Sequence, residues 1–197
     1  MPTLYIISGC NGAGKTTASM TILPEILKCK EFVNADSIAA GLSPFSPHTV
    51  SFHAGRLMLE RIEELLNAKE TFAIETTLTT LSYLKLIESA KSKKYKIFLS
   101  FFYLKNVNLA TRRVHERVLK GGHSVEKEII ERRYYRGIFN LFYHFLPLAD
   151  EFILIDNSGN KPVIVSEYKN GIDIKFNKRN IWDEIIKKYE KTKREYI

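Results

Sequence analysis

Short apolar runs alternate with longer amphipathic stretches along most of the chain. Apolar runs bounded by turn-forming residues predict buried strands, and an apolar period of about 3.6 residues predicts helices. Within residues 48–68, for example, Met58, Ile62, Leu65 and Leu66 fall on one helical face. The predicted strands cover residues 3–8, 31–34, 71–75, 96–103 and 151–156. The predicted helices cover residues 15–23, 48–68, 83–91, 108–119, 125–146 and 181–195, with a further helix beginning near residue 37.

This alternation predicts an α/β fold with a parallel five-stranded sheet covered by helices. The run at residues 96–103 (KIFLSFFY) is apolar on both faces, as in a covered parallel sheet. Asn170-Gly171 lies between two late apolar stretches and is typical of a tight turn, so we expect a β-hairpin at about 162–176. Because no segment has the composition of a linker, residues 1–197 are predicted to be a single domain.

Residues 9–16 (GCNGAGKT) match the phosphate-binding pattern G-x-x-x-x-G-K-[ST] at every fixed position. Glycines let backbone N–H groups turn toward phosphate oxygens, and the lysine reaches the β- and γ-phosphates. An apolar strand precedes the motif and a helix follows it, which is the context that the motif requires. The sequence therefore predicts ATP or GTP as a ligand, with the Thr16 hydroxyl on Mg²⁺. The expected nucleotide contacts are Gly9, Asn11, Gly12, Ala13, Gly14, Lys15, Thr16 and Thr17.

Several classes of P-loop protein do not fit the chain. GTPases read guanine with N-K-x-D, whereas the two Asn-Lys pairs here, at Asn160 and Asn177, are not followed by an aspartate at the fourth position. The serine-glycine-glycine signature of transporter ATPases, and their apolar strand ending in Asp-Glu, are also missing from the sequence. The class that fits is the small kinases, which move phosphate onto a small-molecule acceptor.

Acidic and hydroxyl side chains follow the second and third predicted strands, at the sheet edge that the phosphate loop shares. Asp36 is predicted to be the catalytic base that accepts the proton of the acceptor hydroxyl, although it could instead cap the helix that follows. Glu75, Thr76 and Thr77 are predicted to bind the acceptor, with Glu75 alternatively holding a magnesium-bound water. Capping of the next helix is the structural alternative for this second group.

The segment at about 106–137 is crowded with basic residues around Gly121-Gly122 and is predicted to be a lid. Phosphoryl transfer needs positive charge on the phosphate oxygens, and we expect at least two lid arginines to supply it. His123, directly after the glycine pair, is predicted to contact phosphate. For most of these cations the alternative is a solvated helix, because glutamates at 126, 128 and 131 are interleaved.

The amino-acid composition indicates what kind of partner and compartment the protein has. Thirty Lys and Arg against 22 Asp and Glu give a net charge of +8, which predicts an anionic partner. Two cysteines suit a reducing compartment, and we expect a cytoplasmic protein with no signal peptide. No apolar run is long enough to span a membrane, so we expect no membrane partner. The sequence contains no recognised nucleic-acid-binding module, so a nucleic acid is not the expected partner either.

The chain resembles the zeta toxin family of P-loop kinases, in particular its short "predicted ABC-type ATPase/kinase" branch. The resemblance rests on SGCNGAGKTT at 8–17, NADSIAAGLSPF at 34–45, AGRLML at 54–59, FAIETTL at 72–78, RVLKGGHSVEKEIIERRYYRGIFNL at 117–141 and DNSG at 156–159. Together these stretches extend over most of residues 3–160.

The resemblance implies the fold of nucleotide kinases and chloramphenicol phosphotransferases, with ATP or GTP and Mg²⁺. It implies a kinase acting on the 3′-hydroxyl of UDP-N-acetylglucosamine and a small helical antitoxin that blocks the nucleotide site. It also implies Lys15 and Thr16 on phosphate and Mg²⁺, Asp36 as base and Glu75 at the acceptor. Arg117, together with Arg133, Arg136 or both, is implied to clamp the phosphates.

Three other functions stay open at this point. A nucleotide or nucleoside kinase would use the same machinery on a different acceptor. A nucleic-acid-binding protein switched by nucleotide would use the +8 charge. A P-loop scaffold without activity is disfavoured because Lys15, Thr16, Asp36 and Glu75 are all present.

Overall fold

The computed structural model of the chain describes residues 1–122, 124–169 and 174–196. Its seven strands are β1 (Thr3–Gly9), β2 (Glu31–Val33), β3 (Phe72–Thr76), β4 (Lys96–Tyr103), β5 (Glu151–Asp156), β6 (Val163–Lys169) and β7 (Lys175–Phe176). Its α-helices are α1 (Lys15–Thr21), α2 (Ala35–Leu42), α3 (Ser51–Ala68), α4 (Ser82–Ser92), α5 (Val107–Leu119), α6 (Lys127–Asn140) and α7 (Arg179–Tyr196). Strands and helices alternate as far as β5, as the apolar pattern predicts.

The strands form one sheet in the order β2-β3-β1-β4-β5-β6-β7. Neighbouring strands from β2 to β5 are parallel, whereas β6 and β7 pair antiparallel. In the register of the centre, Ser8 of β1 lies opposite Thr76 of β3 and Phe101 of β4. The carboxyl ends of these central strands therefore meet at one edge, where a parallel sheet has its ligand-binding crevice.

The core lies on both faces of the sheet. Leu4 and Ile6 of β1 are buried on one face and Ile7 of β1 and Ala73 of β3 on the other, as expected where helices cover both sides of a parallel sheet. Polar Ser100 of β4 is also buried, and its hydroxyl donates to the Ile6 carbonyl, which satisfies it without water. Two buried faces explain why the strands read as nearly continuous apolar runs rather than as alternating ones.

The parallel sheet of five strands is confirmed, and the hairpin strands extend it. β6 pairs with β5 along its length, so this segment is part of the main sheet rather than a separate decoration. The predicted turn residues Asn170 and Gly171 lie outside the described residues. The long helix predicted to end near residue 146 is α-helical only to Asn140 and continues as a π-helical turn, Leu141–Phe145.

Within the described ranges, no helix has the length and apolar character needed to cross a lipid bilayer.

Candidate functional site

The phosphate-binding motif forms the turn between β1 and α1. Gly9, Gly12 and Gly14 have φ angles of 138°, 76° and 85°, a backbone conformation that favours glycine. A side chain at Gly12 would also clash with α5, since a Cβ there would lie 2.7 Å from the Ala110 carbonyl oxygen. The motif thus adopts the compact loop that its glycines predict, packed against the start of α5.

Lys15 and Thr16 are held by one carboxylate. The Lys15 ammonium donates to the Cys10 carbonyl at 3.0 Å and lies 3.6 Å from Glu75 Oε1. The Thr16 hydroxyl donates to Glu75 Oε2 at 2.7 Å. The Lys15 and Glu75 side chains are only 7% and 12% exposed, so this ion pair is little screened by solvent. Glu75 therefore contacts Lys15 and Thr16 of the phosphate-binding motif directly.

Asn34 connects Glu75 to the helix that carries Asp36. Its amide nitrogen donates to Glu75 Oε2 at 2.9 Å. Its amide oxygen accepts from the backbone N–H groups of Asp36 and Ser37, at 2.8 and 3.2 Å, and so caps α2. The alternative in which Asp36 caps this helix is wrong, because the cap is Asn34. The Asp36 carboxylate lies in the first turn of α2 and lines the cleft.

The cleft beside the loop has a volume of about 740 Å³. Its wall next to Asp36 carries the hydroxyl groups of Thr76, Thr77, Thr80 and Tyr83. Burial raises the pKa of Tyr83, and the negative charge of Asp36 adds to that rise, while a hydrogen bond with Thr76 opposes it. Tyr83 is therefore a neutral hydroxyl near neutral pH and is able to donate a hydrogen bond.

Four basic side chains also line the cleft and are called the cationic wall: Arg113 and Arg117 of α5, Lys120 directly after it, and Arg133 of α6. Arg133 donates to the Asn11 side-chain oxygen at 3.2 Å, which ties α6 to the phosphate loop. Burial lowers the pKa of Arg133 from its usual value, and the negative charge of Asp36 opposes that shift. Positive charge therefore faces both the loop and the predicted base.

The glycine pair after α5 shapes one end of the cationic wall. Gly121 has a φ of 85°, and the N–H of Gly122 donates to the Arg117 carbonyl at 2.9 Å, which closes the last turn. A Cβ on Gly122 would lie 2.5 Å from Cγ of Arg117. The pair thus lets the chain turn directly beside the Arg117 side chain.

Not every predicted residue reaches the cleft. Arg136 does not line it, and its guanidinium lies 5.7 Å from the centre of the Tyr196 ring. Ala13 is fully buried, with its N–H donating to the Cys10 carbonyl and its carbonyl accepting from Asn157, so it does not line the cleft either. The prediction for His123 lies outside the described residues. The structure brings the other predicted residues together in the cleft, apart from Gly9, which begins the loop at the end of β1.

Sequence reasoning missed two asparagines and a tyrosine. Asn157, after β5, donates to the Ala13 carbonyl at 2.9 Å, and a Cβ on Gly14 would lie 2.5 Å from the same amide nitrogen. Asn157 and Gly14 are 143 positions apart, so local patterns cannot reveal their contact. Asn34 and Tyr83 lie near the predicted site residues Asp36 and Glu75 in the sequence. That proximity was the only sign in the sequence that they could belong to the site.

Thr16 and Glu75 have the chemistry of a magnesium site that phosphate oxygens complete. Mg²⁺ prefers hard oxygen ligands and is held by one or two carboxylates together with substrate phosphates. The Thr16 hydroxyl and a Glu75 carboxylate oxygen are 2.7 Å apart and border the cleft, so the donor set fits. In the part of the chain that the structure describes, no cluster of three His, Cys, Asp or Glu side chains forms a separate metal site.

Known proteins that resemble the chain share its fold at low sequence identity. No model of a known protein family matches the chain. An uncharacterized protein of Haemophilus influenzae is 25% identical over 126 residues, which are 64% of this chain and 88% of that protein.

Two solved structures are similar over nearly the whole chain. A chain of the AvrRxo1-ORF1:-ORF2 complex with ATP has a TM-score of 0.75 at 17% identity, and the match covers 94% of this chain. This chain spans 63% of the length of that one. A structure of the PezAT chromosomal toxin–antitoxin system of Streptococcus pneumoniae has a TM-score of 0.67 at 16% identity, and the match covers 99% of this chain and 87% of that one. The P-loop kinase-like fold is therefore confirmed, and the resemblance to the zeta toxins is confirmed at the level of the fold.

Proposed function

We propose that the chain is a phosphotransferase that moves the γ-phosphate of ATP to a hydroxyl group of a small molecule, with GTP as the alternative donor. One observation carries the proposal: a single cleft brings together the phosphate loop, the Asp36 carboxylate and the cationic wall. A nucleotide switch needs the loop alone, whereas transfer to a hydroxyl needs a base opposite the phosphate.

The donor phosphates are proposed to bind between the loop and the cationic wall. Lys15 exchanges its contacts with Cys10 and Glu75 for contacts with phosphate oxygens, which are stronger acceptors than a carbonyl. Arg117 and Arg133 approach from the other side with planar guanidinium groups that bind phosphate in a bidentate manner. Charge that develops on the transferred group is thus met from two directions.

Asp36 is proposed to be the base. Its carboxylate accepts the proton of the acceptor hydroxyl as the new oxygen–phosphorus bond forms and the bond to the oxygen of the leaving ADP breaks. Among the described residues, the Asp36 carboxylate makes no hydrogen bond or ion pair, because Asn34 does the capping. The cleft therefore presents an acceptor for the proton within the same wall that binds the hydroxyl-bearing molecule.

The proposed ligands of Mg²⁺ are the Thr16 hydroxyl, the Glu75 carboxylate and phosphate oxygens of the donor. Glu75 would bind the ion either directly or through a water molecule. When bound, the ion neutralises charge on the phosphates. Glu75 stays in place through Asn34 and Thr16, so the chain itself orients the metal ligands before the substrates arrive.

The acceptor is proposed to be a sugar nucleotide like UDP-N-acetylglucosamine. The hydroxyl-rich wall of Thr76, Thr77, Thr80 and Tyr83 suits a molecule that carries several hydroxyl and carbonyl groups. Lys120, at the far side of the cleft, would attract the phosphates of such an acceptor. A nucleoside or nucleotide acceptor is the alternative, and it would use the same base.

A separate antitoxin protein is proposed as the partner. The support is that the similar solved structures are the AvrRxo1-ORF1:-ORF2 complex and the PezAT toxin–antitoxin system. A partner seated over the cleft would block both substrates at once.

The test is a transfer assay with γ-labelled ATP, Mg²⁺ and a panel of UDP-sugars, nucleosides and amino sugars. Label on a UDP-sugar is the expected result, and label on a nucleoside would replace the acceptor while keeping the reaction. Tight ATP binding without transfer to any member of the panel would overturn the proposed acceptors. In the same assay Asp36→Asn should lose the transfer of label, and Asp183→Asn is its matched control, because Asp183 pairs with Arg179 on the surface of α7.

A further inference from the structure

We infer that Asn34 is a positioning residue that fixes the base Asp36 relative to the phosphate-binding residues Lys15 and Thr16. The inference rests on the proposed function, because it assigns Asn34 a part in the same reaction. Asn34 itself need not touch either substrate. It acts through Glu75 on one side and through the backbone of Asp36 on the other.

Both ends of the Asn34 carboxamide are used, and only one orientation satisfies them. The amide nitrogen donates to Glu75 Oε2, and the amide oxygen accepts from two backbone N–H groups at the start of α2. A flipped amide would point its oxygen at the carboxylate and its nitrogen at the N–H donors, which loses every bond. Asn34 is 6% exposed, so water cannot readily replace these bonds.

The contacts of Asn34 continue into the phosphate site through a single carboxylate. Glu75 Oε2 accepts from both Asn34 and the Thr16 hydroxyl, while Oε1 faces the Lys15 ammonium. A shift of Asn34 therefore moves the carboxylate that orients Lys15 and Thr16. The same shift moves the backbone of Asp36, because the Asp36 N–H binds the other end of the amide.

The sheet by itself holds the start of α2 weakly. β2 has only three residues, lies at the edge of the sheet and pairs with β3 alone, with Val33 opposite Ile74 as the last pair. Asn34 follows that last pair and adds a side-chain bond across to Glu75, one residue beyond Ile74. It thus extends the strand pairing by one link at the point where the base begins.

A capping role alone would tolerate other residues that the positioning role does not. Asp and Ser cap helices about as well as Asn does. A serine side chain, however, is shorter than the carboxamide, and its single oxygen would have to both cap α2 and donate to Glu75. An aspartate would place a second carboxylate about one hydrogen-bond length from Glu75, where like charges repel.

Asn34→Asp tests the link to Glu75 directly. Glu75 Oε2 accepts from the Asn34 amide nitrogen at 2.9 Å, so the substitution replaces that donor with a second carboxylate. The hydrogen bond is lost and like charges repel, whereas the cap on α2 is kept.

The expected result is a loss of activity in both variants. At pH 8, Asn34→Asp should lower kcat about 10- to 100-fold and the midpoint of thermal unfolding by about 3–6 °C. Asn34→Ser keeps a capping oxygen but loses the bond to Glu75, so it should lower kcat with little change in the unfolding midpoint.

Asn106→Asp is the control for the unfolding measurement. Asn106 caps α5 by accepting from the Leu109 N–H at 2.9 Å, so the exchange is the same at a different cap. Its unfolding midpoint should stay close to that of the wild type, because Asp and Asn cap helices about equally well.

Two outcomes would overturn the inference: wild-type kcat in Asn34→Ser, or wild-type kcat in Asn34→Asp at pH 8. An unfolding deficit of the same size in Asn34→Asp and Asn106→Asp would leave Asn34 a cap only. If the wild-type protein transfers no phosphate at all, the proposed function fails by itself. The unfolding series then still reports whether Asn34 bridges Glu75 and α2.

Discussion

At the scale of single residues, the site is built from side chains that each make two kinds of contact. Glu75 binds the phosphate lysine and also the threonine next to it, and Asn34 binds Glu75 and caps α2. Arg133 binds the phosphate loop through Asn11 and lies near Asp36. Residues shared in this way fix distances between functional groups that come from distant parts of the chain.

Arg133 provides a prediction at this scale. Arg133→Ala should lower kcat for phosphoryl transfer about 10²- to 10³-fold, because it removes positive charge from the transferred group in a partly buried site. The KM for ATP should change by less than about tenfold, since Lys15 and the loop remain. Steady-state kinetics with saturating acceptor measure both.

Arg112→Ala is the matched control for that prediction. Arg112 is exposed, pairs with Glu116 on the same helix and does not line the cleft. It should keep kcat within about twofold of wild type. Equal losses in the two variants would show that the total charge of α5 and α6, rather than the position of Arg133, supports the activity.

At the scale of elements, the sequence predicts the strands closely and the helix faces less well. The bounds of β4 and β5 agree with the prediction at every residue, because runs apolar on both faces have sharp ends. The phosphate loop was also predictable, since its chemistry requires glycines at fixed spacing. Which face of α6 meets the cleft was not, because Arg133 and Arg136 lie on a helix with charges all around it.

Contacts between distant residues were beyond sequence reasoning. Asn157 meets the phosphate loop across 144 positions, and Asn34 meets Glu75 across 41. An asparagine after a strand is typical of many turns, so its type alone does not indicate a partner. Only the sheet order β2-β3-β1-β4-β5 brings these strand ends side by side.

Replacing two helical glycines with alanine should change the stability of the protein in opposite directions. Gly55 lies inside α3 and a Cβ there would meet no atom within 4 Å, so Gly55→Ala should stabilise the protein by about 0.5–1 kcal/mol. Gly137 lies inside α6, and its Cβ would lie 2.7 Å from the Thr77 carbonyl oxygen. Gly137→Ala should therefore destabilise the protein despite the better helix former.

Chemical denaturation of the two variants and the wild type measures both effects. Helix propensity alone predicts that both substitutions stabilise the protein. A destabilising effect of Gly137→Ala would therefore come from its packing. Stabilisation of Gly137→Ala would contradict the close approach of α6 to the strand end after β3.

At the scale of the whole molecule, the fold places one cleft where the loop, the base and the cationic wall converge. Ligand binding there should stabilise the native state by an amount that rises with the logarithm of the ligand concentration above the dissociation constant. With Mg²⁺ and ATP at about 100 times the dissociation constant, the free energy of unfolding should rise by about 2.7 kcal/mol. Lys15→Ala should abolish most of this rise, because Lys15, at the start of α1, is proposed to bind the phosphates of ATP.

Thermal unfolding with and without the nucleotide measures this linkage. Lys161→Ala is the control, because Lys161 is an exposed residue outside the cleft lining and should keep the full rise. An equal rise in Lys15→Ala and the wild type would show that ATP binds somewhere other than the phosphate loop.

The most direct test of the central claim compares the wild type with Asp36→Asn in the transfer of label from γ-labelled ATP to the acceptor that the panel identifies, with ATP affinity measured in parallel. The substitution keeps the size of the side chain and the Asn34 cap but removes the proton acceptor. The proposed reaction predicts a loss of transfer of about 10²- to 10⁴-fold with ATP affinity within about threefold of wild type. Transfer at the wild-type rate by Asp36→Asn would contradict the account, because the base would then lie elsewhere.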